Sequence, residues 1–426
     1  MFLVAQRRAF DEPLDRRWWW LAARSGVVHA TPGRVMLGVG HIETLPLGGD
    51  AGDSRALLDS ISIHGDPGPA ESDPRCHGLL PFQPGRPGVG MVPQVQWFAT
   101  EGRSWVTVLG STAENCADTM DALFAFIEAV QPPDDEPPRL VTLVEHPTPR
   151  IFENWVGAAV AAIGRGDLGK VVLSRTVDGV CEQPNDPAAV LERMQEREPS
   201  CALFSHPSAD GRFVGASPEL LMERRGSAIR SHPLAGTTPL GLGHEGGRLL
   251  ERSPKDLEEH RLVVHDIAAR LSPLCDVLTV PEAPTLVELR SVAHLGTEMR
   301  GTLSDASADS AHCFALLQAI HPTPAVAGVP LAVALEMIRS IEDSDRGYFA
   351  GAVGWFSASG DGDWVLGIRG AILDGTRFSV RAGAGIVGDS DPLDEAEETR
   401  IKLSSILEAV IPGCSSALEA RRIPSD

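Results

Sequence analysis

The chain of 426 residues has almost no lysine: of its 37 basic residues only Lys170, Lys255 and Lys402 are not arginine. A lysine kept against that background points to a position needing a compact or neutralisable amine, which arginine cannot supply. Positive charge is scarce overall. The formal net charge of −21 argues against nucleic acid or an anionic membrane as a partner. No apolar run approaches the length of a membrane span, and the N-terminus lacks the apolar core and cleavage site of a secretory signal. A cytoplasmic protein is expected. Cys76, Cys116, Cys181, Cys201, Cys275, Cys313 and Cys414 are scattered, odd in number and form no CxxC pair. That pattern excludes a disulfide framework or a cysteine zinc site and fits reduced thiols.

What is present suffices for a full core, at 43% hydrophobic residues. Residues 1–130 are rich in glycine, proline and tryptophan, and "QPPDDEPPR" (131–139) reads as a proline- and acid-rich connector. From 140 to 412 strand-like and helix-like stretches follow one another without βαβ rhythm or repeat, and 413–426 is a tail. "KVVLSRTV" (170–177), "RFVGAS" (212–217), "DWVLGIRGAIL" (363–373) and "RFSVRAGAGIV" (377–387) predict strands. Residues 255–271 predict a helix with an apolar stripe at Leu257, Val264, Ile267, Ala268 and Leu271. Residues 390–410 predict a second, with Asp391 as N-cap, Pro392 at the first helical position and a stripe at Leu403, Ile406, Leu407 and Val410. Strands with interspersed helices and no alternation favour an α+β architecture.

Both helices carry acids at helical spacing. Asp256 and Glu259 share one face of the first, and Glu395, Glu398 and Lys402 one face of the second. Solvated surface charge is the ordinary fate of such acids. Two acid pairs, each beside a buried stripe, instead suit helices that face one another, and four carboxylates together need a cation. Oxygen donors without cysteine or clustered histidine point to Mg²⁺. "RAGAGIVG" contains GxGxxG at Gly383, Gly385 and Gly388, between a strand and a helix, which is the local setting of a dinucleotide site. The helix that follows opens with acids, too little chain remains for a nucleotide-binding half, and no acid stands where a ribose needs one. These glycines better suit close approach to a small anion such as a carboxylate. Lys170 is either an edge guard on its strand or a buried amine able to act as a base. Glu219, after a Ser-Pro turn, is either a helix-terminal acid or a desolvated carboxylic acid able to donate a proton. "HPLAGTTPLG" (232–241) reads as a Gly/Thr loop suited to backbone contact with a ligand. "HPTPAVAGVP" (321–330) reads as a stiff loop whose prolines keep it out of helix and sheet ladder.

The ordered series "KVVLSR", "GASPELL", "HPLAGTT", "EEHRLVVHDI", "VAHLGT", "HPTPAVAGVP", "DRGYFAGAVGW", "WVLGIRGAIL" and "GAGIVGDSDPLDEAEET" resembles the chorismate-utilising enzymes. That family includes isochorismate, salicylate, anthranilate and aminodeoxychorismate synthases. The resemblance runs from about 140 to 411. It implies one large α+β domain of two packed antiparallel sheets flanked by helices, with 1–130 as its variable N-terminal part. By motif position Lys170 would be the general base that activates water, and Glu219 the acid that protonates the leaving C4 hydroxyl. Glu259 and Glu398 would ligate Mg²⁺, with Asp256 and Glu395 holding its waters. Arg369 and the backbone at Gly385 would take the enolpyruvyl carboxylate, and Gly236, Thr237, His294 and Lys402 would line the site. Asp256 stands where relatives often have glutamate, and Phe349 where salicylate synthases tend to have tyrosine.

Ala325 bears on the product. Anthranilate- and salicylate-type members tend to have threonine there, whereas isochorismate-forming members have alanine. The resemblance therefore implies addition of water to C2 of chorismate with loss of the C4 hydroxyl, giving isochorismate for menaquinone or siderophore synthesis. Salicylate formation, by later loss of pyruvate, is the alternative. A monomer with no amidotransferase subunit is expected, as the chain carries no such segment.

Overall fold

The computed structural model describes residues 3–48, 52–133, 136–240, 247, 249–308 and 311–414. Its framework is two large β-sheets, one of 13 strands and one of nine, with a three-stranded sheet beside them. Among the described residues every ladder is antiparallel except that joining Val4–Phe10 to Ser62–Gly65. The α+β reading therefore stands. Both large sheets recruit strands from the first 110 residues, among them Val27–Thr31 in the larger and Arg75–Leu80 in the smaller.

Towards one edge of the larger sheet, next to strand Leu140–His146, lies the pair Lys170–Cys181 and Arg377–Ile386, in register from Val171 opposite Ile386 to Val180 opposite Arg377. Along Arg377–Ile386 burial alternates, with Phe378, Val380, Ala382, Ala384 and Ile386 on the buried face. Period-two alternation is what a pleated strand dictates. The opposite face thus collects Arg381, Gly383 and Gly385.

Two capped helices close the structure over these strands. Helix Pro392–Val410 starts where the Asp391 carboxylate accepts the Leu393 and Asp394 N–H groups. It packs on strand Arg377–Ile386 through Leu403, Ile406, Leu407 and Val410, each side chain contributing about 1.5–3 kcal/mol on burial. Helix Pro254–Leu271 is capped by Ser253, whose hydroxyl accepts from Asp256 N–H. Its buried face is Glu259, His260, Val263, Ile267 and Leu271, against strand Leu234–Pro239 and helix Cys313–Ile320. The predicted stripe is thus turned: Leu257, Val264 and Ala268 are only half-buried, because the face carrying Glu259 is the one that turns inward.

Three expected segments differ. Residues 363–373 form two strands, Gly362–Leu366 in the nine-stranded sheet and Gly370–Asp374 in the larger one. The chain changes sheet across Gly367–Arg369, with Arg369 at φ +53°. "HPLAGTT" is a strand, Leu234–Pro239, pairing with Val292–Gly296 and bulged between Ala235 and Thr237. Gly236, at φ +75°, supplies the bulge and explains the loop-like sequence; Gly241, the end of that stretch, lies outside the described residues. In "HPTPAVAGVP", Gly328–Val329 does enter a ladder, opposite Val171 and Lys170. Prolines bracket that short pairing without occupying it.

Candidate active site

The site grows from two places where the chain crosses between sheets. At the first, strand Gly211–Ser217 of the larger sheet gives way to Leu220–Arg225 of the smaller, leaving Glu219 at the crossing. The second is Gly367–Arg369. Backbone bonds lock the two together: Leu366 N–H donates to Glu219 C=O at 3.0 Å, and Ala216 N–H to Arg369 C=O at 3.1 Å. The two non-glycine residues with left-handed φ among those described, Ala350 at 60° and Arg369 at 53°, both line the pocket here. Strain of this kind persists only where surrounding contacts enforce it.

The pocket lies where the three sheets meet. Its walls include Glu219, Gly236, Thr237, Glu259, His294, Ala325, Phe349, Arg369, Gly385, Glu398 and Lys402. Lys170, Asp256 and Glu395 stand just behind that lining. The Lys170 ammonium is fully buried and 2.9 Å from Glu259 Oε1. Gly385 permits that approach, since a Cβ on it would fall 2.1 Å from Glu259 Oε1 and 3.0 Å from Lys170 Cε. Gly236 is tight as well, its Cβ position being 3.0 Å from Asp256 Cβ, and its φ of +75° strains any other residue there.

Glu219 is the most perturbed acid facing the cavity. Burial pushes its carboxyl up to about 8, against the Leu234 N–H bond and the charges of Lys170 and Lys402, which pull it down. Among the described residues its Oε1 has no hydrogen-bond partner. Near neutral pH this is a protonated acid with a free donor. His294 is neutral, held far below its ordinary range by burial and by Arg369 and Lys402. Arg369 Nη2 donates to His294 Nε2 at 3.0 Å, leaving the ring proton on Nδ1, where Gly236 C=O and Thr237 Oγ1 lie at 3.1 Å.

The carboxylates of the two helices meet here. Burial, then repulsion from Glu398, pushes Glu395 up to about 7 despite its pairing with Lys255 at 2.5 Å. Asp256 is raised by burial and by Glu259 and Glu398, with the Ser253 hydrogen bond opposing. Glu398 takes Lys402 at 2.6 Å. All three lysines of the chain thus serve this cluster. Among the described residues no three His, Cys, Asp or Glu side chains converge on one point. Each glutamate is turned to its own lysine instead. The donor set itself, carboxylate oxygens alone, with Asp256 and Glu395 raised by burial and by their acidic neighbours, suits a hard divalent cation.

The family model for chorismate binding enzymes matches residues 81–411, more than three-quarters of the chain. The chain is a chorismate-binding enzyme. It is 40% identical over 265 residues to the salicylate biosynthesis isochorismate synthase of Pseudomonas aeruginosa, covering 61% of this chain and 55% of that protein. It is 38% identical over 276 residues to the isochorismate synthase DhbC of Bacillus subtilis, covering 62% of this chain and 68% of the relative. In fold it is similar to MenF, the menaquinone-specific isochorismate synthase of Escherichia coli, with a TM-score of 0.81, 24% identity and coverage of 96% and 94%.

Sequence reasoning assigned no role in the site to three side chains of this chorismate-binding enzyme. Lys255 pairs with Glu395, and the rarity of lysine was the signal that pointed to it. Arg346 and Arg381 line the pocket. Arg346 falls inside a motif quoted for the resemblance and Arg381 inside "RAGAGIVG", but in an arginine-rich chain nothing in their residue type sets them apart.

Proposed function

We propose that the protein converts chorismate to isochorismate. Lys170 takes a proton from the water that attacks C2, and Glu219 gives its proton to the C4 hydroxyl, which leaves as water. The observation that carries this reading is Glu219: a buried carboxyl that still holds a proton near neutral pH, with one oxygen unpartnered at the cavity. General acid catalysis at physiological pH requires such a group. Arg369, oriented by neutral His294, is suited to hold the enolpyruvyl carboxylate with the backbone at Gly385. Glu259 and Glu398, with Asp256 and Glu395 behind them, would hold Mg²⁺. Bound there, Mg²⁺ supplies positive charge for the ring carboxylate of the substrate and occupies Glu259, now the partner of Lys170. Relatives named as isochorismate synthases support the same product.

The test is product identification. Purified protein with chorismate and Mg²⁺ is expected to give isochorismate by chromatography, and EDTA to stop it. Release of salicylate and pyruvate would replace this reading with a salicylate synthase, and an unchanged chorismate peak would end it. The chain is proposed to act as a monomer without an amidotransferase subunit; ammonia-dependent amination of chorismate would contradict the second point.

A further inference from the structure

At the pocket wall Arg346 belongs to a buried ion pair that the proposed chemistry does not use. Arg346 and Glu342 are almost fully enclosed, with side-chain exposures of 2% and 3%. They form a two-pronged pair, Nε to Oε2 at 2.9 Å and Nη2 to Oε1 at 2.5 Å. Burying two charges costs several kcal/mol unless their remaining hydrogen-bonding capacity is met. Here it is met by the nucleophile side of the site. Arg346 Nη2 donates to Val172 C=O at 2.7 Å, two residues from Lys170 on the same strand. Arg346 Nη1 donates to Val326 C=O at 2.8 Å, next to Ala325. Glu342 Oε1 accepts Ser174 N–H at 2.8 Å and its hydroxyl at 3.0 Å. The guanidinium also lies over the Phe82 ring, 4.4 Å from its centre.

The same two segments are stitched on the other side of Val172, whose N–H donates to Ala327 C=O at 2.8 Å, and Gly169 N–H to Val329 C=O at 2.7 Å. One guanidinium therefore reads the carbonyl of the Lys170 strand with one arm and that of the Ala325 turn with the other. Only a planar fork can span both while doubly bonded to a carboxylate.

We propose that Arg346, oriented by Glu342, is a positioning residue that fixes the spacing between the Lys170 strand and the Ala325 turn, and through it the placement of the attacking water. The proposal rests on the isochorismate reading above. Misplacing a reacting group by about 1 Å costs up to roughly a hundredfold in rate. The effect belongs in kcat, because neither residue is assigned to a substrate carboxylate.

Glu342→Gln keeps the shape and removes the charge that orients the guanidinium. Arg346→Lys keeps the charge and removes the fork. Both are expected to lower kcat at least about tenfold with KM within about twofold, and to divert part of the turnover from isochorismate to pyruvate release. A folded Glu342→Gln protein, by circular dichroism and melting, with wild-type kcat and product ratio would overturn the proposal and leave the pair structural. If that variant does not fold, Ser174→Ala carries the test, since it removes only one hydroxyl contact to Glu342. A fall in its kcat with KM held supports the proposal, and an unchanged kcat overturns it. Wild-type protein that makes no isochorismate would instead remove the reading beneath it.

Discussion

Two regions of this molecule bury ionisable groups, and they treat them in opposite ways. Between the two large sheets Asp363 of the nine-stranded sheet is enclosed with His29 of the larger one, beside half-buried Arg225. His29 Nε2 pairs with Asp363 Oδ1, and Arg225 donates to Oδ2 at 3.0 Å while lying over the Trp355 ring. Burial alone would raise that carboxyl, but His29 and Arg225 hold it far below its ordinary range. At the pocket, Glu219 is as deeply buried and lies where Lys170 and Lys402 attract it only at a distance, so burial wins and the proton stays. Enclosure is common to both. The partner decides whether a buried acid becomes a structural anion or a proton donor.

The largest expected effect separates the two by function. Lys170→Ala and Glu219→Gln are each predicted to lower isochorismate formation about 10²–10⁴-fold, the usual worth of a positioned acid or base. Neither should unfold the protein. Glu219→Gln should leave the melting temperature unchanged or higher, since it replaces an unpartnered buried acid by a neutral amide of the same shape. Near-normal turnover in either variant, measured by product chromatography, would sink these assignments.

Asp363→Ala is the mirror image. It leaves buried His29 without its carboxylate, while half-buried Arg225 keeps Glu71 and Glu223, a change that costs about 1–3 kcal/mol of stability. The midpoint of urea unfolding should fall accordingly, while kcat of the remaining folded protein stays within about threefold. Loss of activity without loss of stability would erase the contrast between the two regions.

The pH response sharpens the same comparison at smaller cost. Glu219 has a folded value of about 8, above its unfolded one, so its stabilising contribution is full at acid pH and is lost as pH rises through about 8. Activity runs the same way, because only the protonated form donates. The rate kcat/KM is expected to fall above about pH 8, tenfold per pH unit once the acid is ionised. A profile flat to pH 10 would show that Glu219 does not carry the proton.

How much of this was legible in the sequence follows from the range of the interactions. The α+β class, the strand Arg377–Ile386 and the capped helix Pro392–Val410 are local matters of alternation and caps, and they were readable. The acids at 256, 259, 395 and 398 were visible as pairs, and Lys402 beside Glu398, but the pairings of Lys170 with Glu259 and Lys255 with Glu395 were not, because they join residues far apart in sequence. The break at Gly367–Arg369 was hidden, since "WVLGIRGAIL" is apolar on both sides of Arg369 and only the sheet each half enters divides it. The pairing of Gly328–Val329 was hidden for a similar reason: two prolines mask a two-residue bridge that exists only because Lys170 lies opposite. Arg346 needed three dimensions, as its contacts reach Val172 and Val326 from a segment whose sequence says only "arginine".

The smallest predicted effect falls on Ala325, the half-buried residue of the turn that Arg346 holds. Ala325→Thr adds a methyl and a hydroxyl to the pocket wall without touching Lys170, Glu219 or any carboxylate of the cluster. Differences of that size in a pocket change rates by roughly tenfold or somewhat more, well below the loss expected at Lys170. The added hydroxyl can bind at the place from which water attacks, so the change should appear in isochorismate kcat, not in stability. Isochorismate kinetics matching the wild type would show that the alanine accompanies the product without selecting it. A fall confined to kcat would place product choice in the wall of the pocket, apart from the acid and base that every turnover needs.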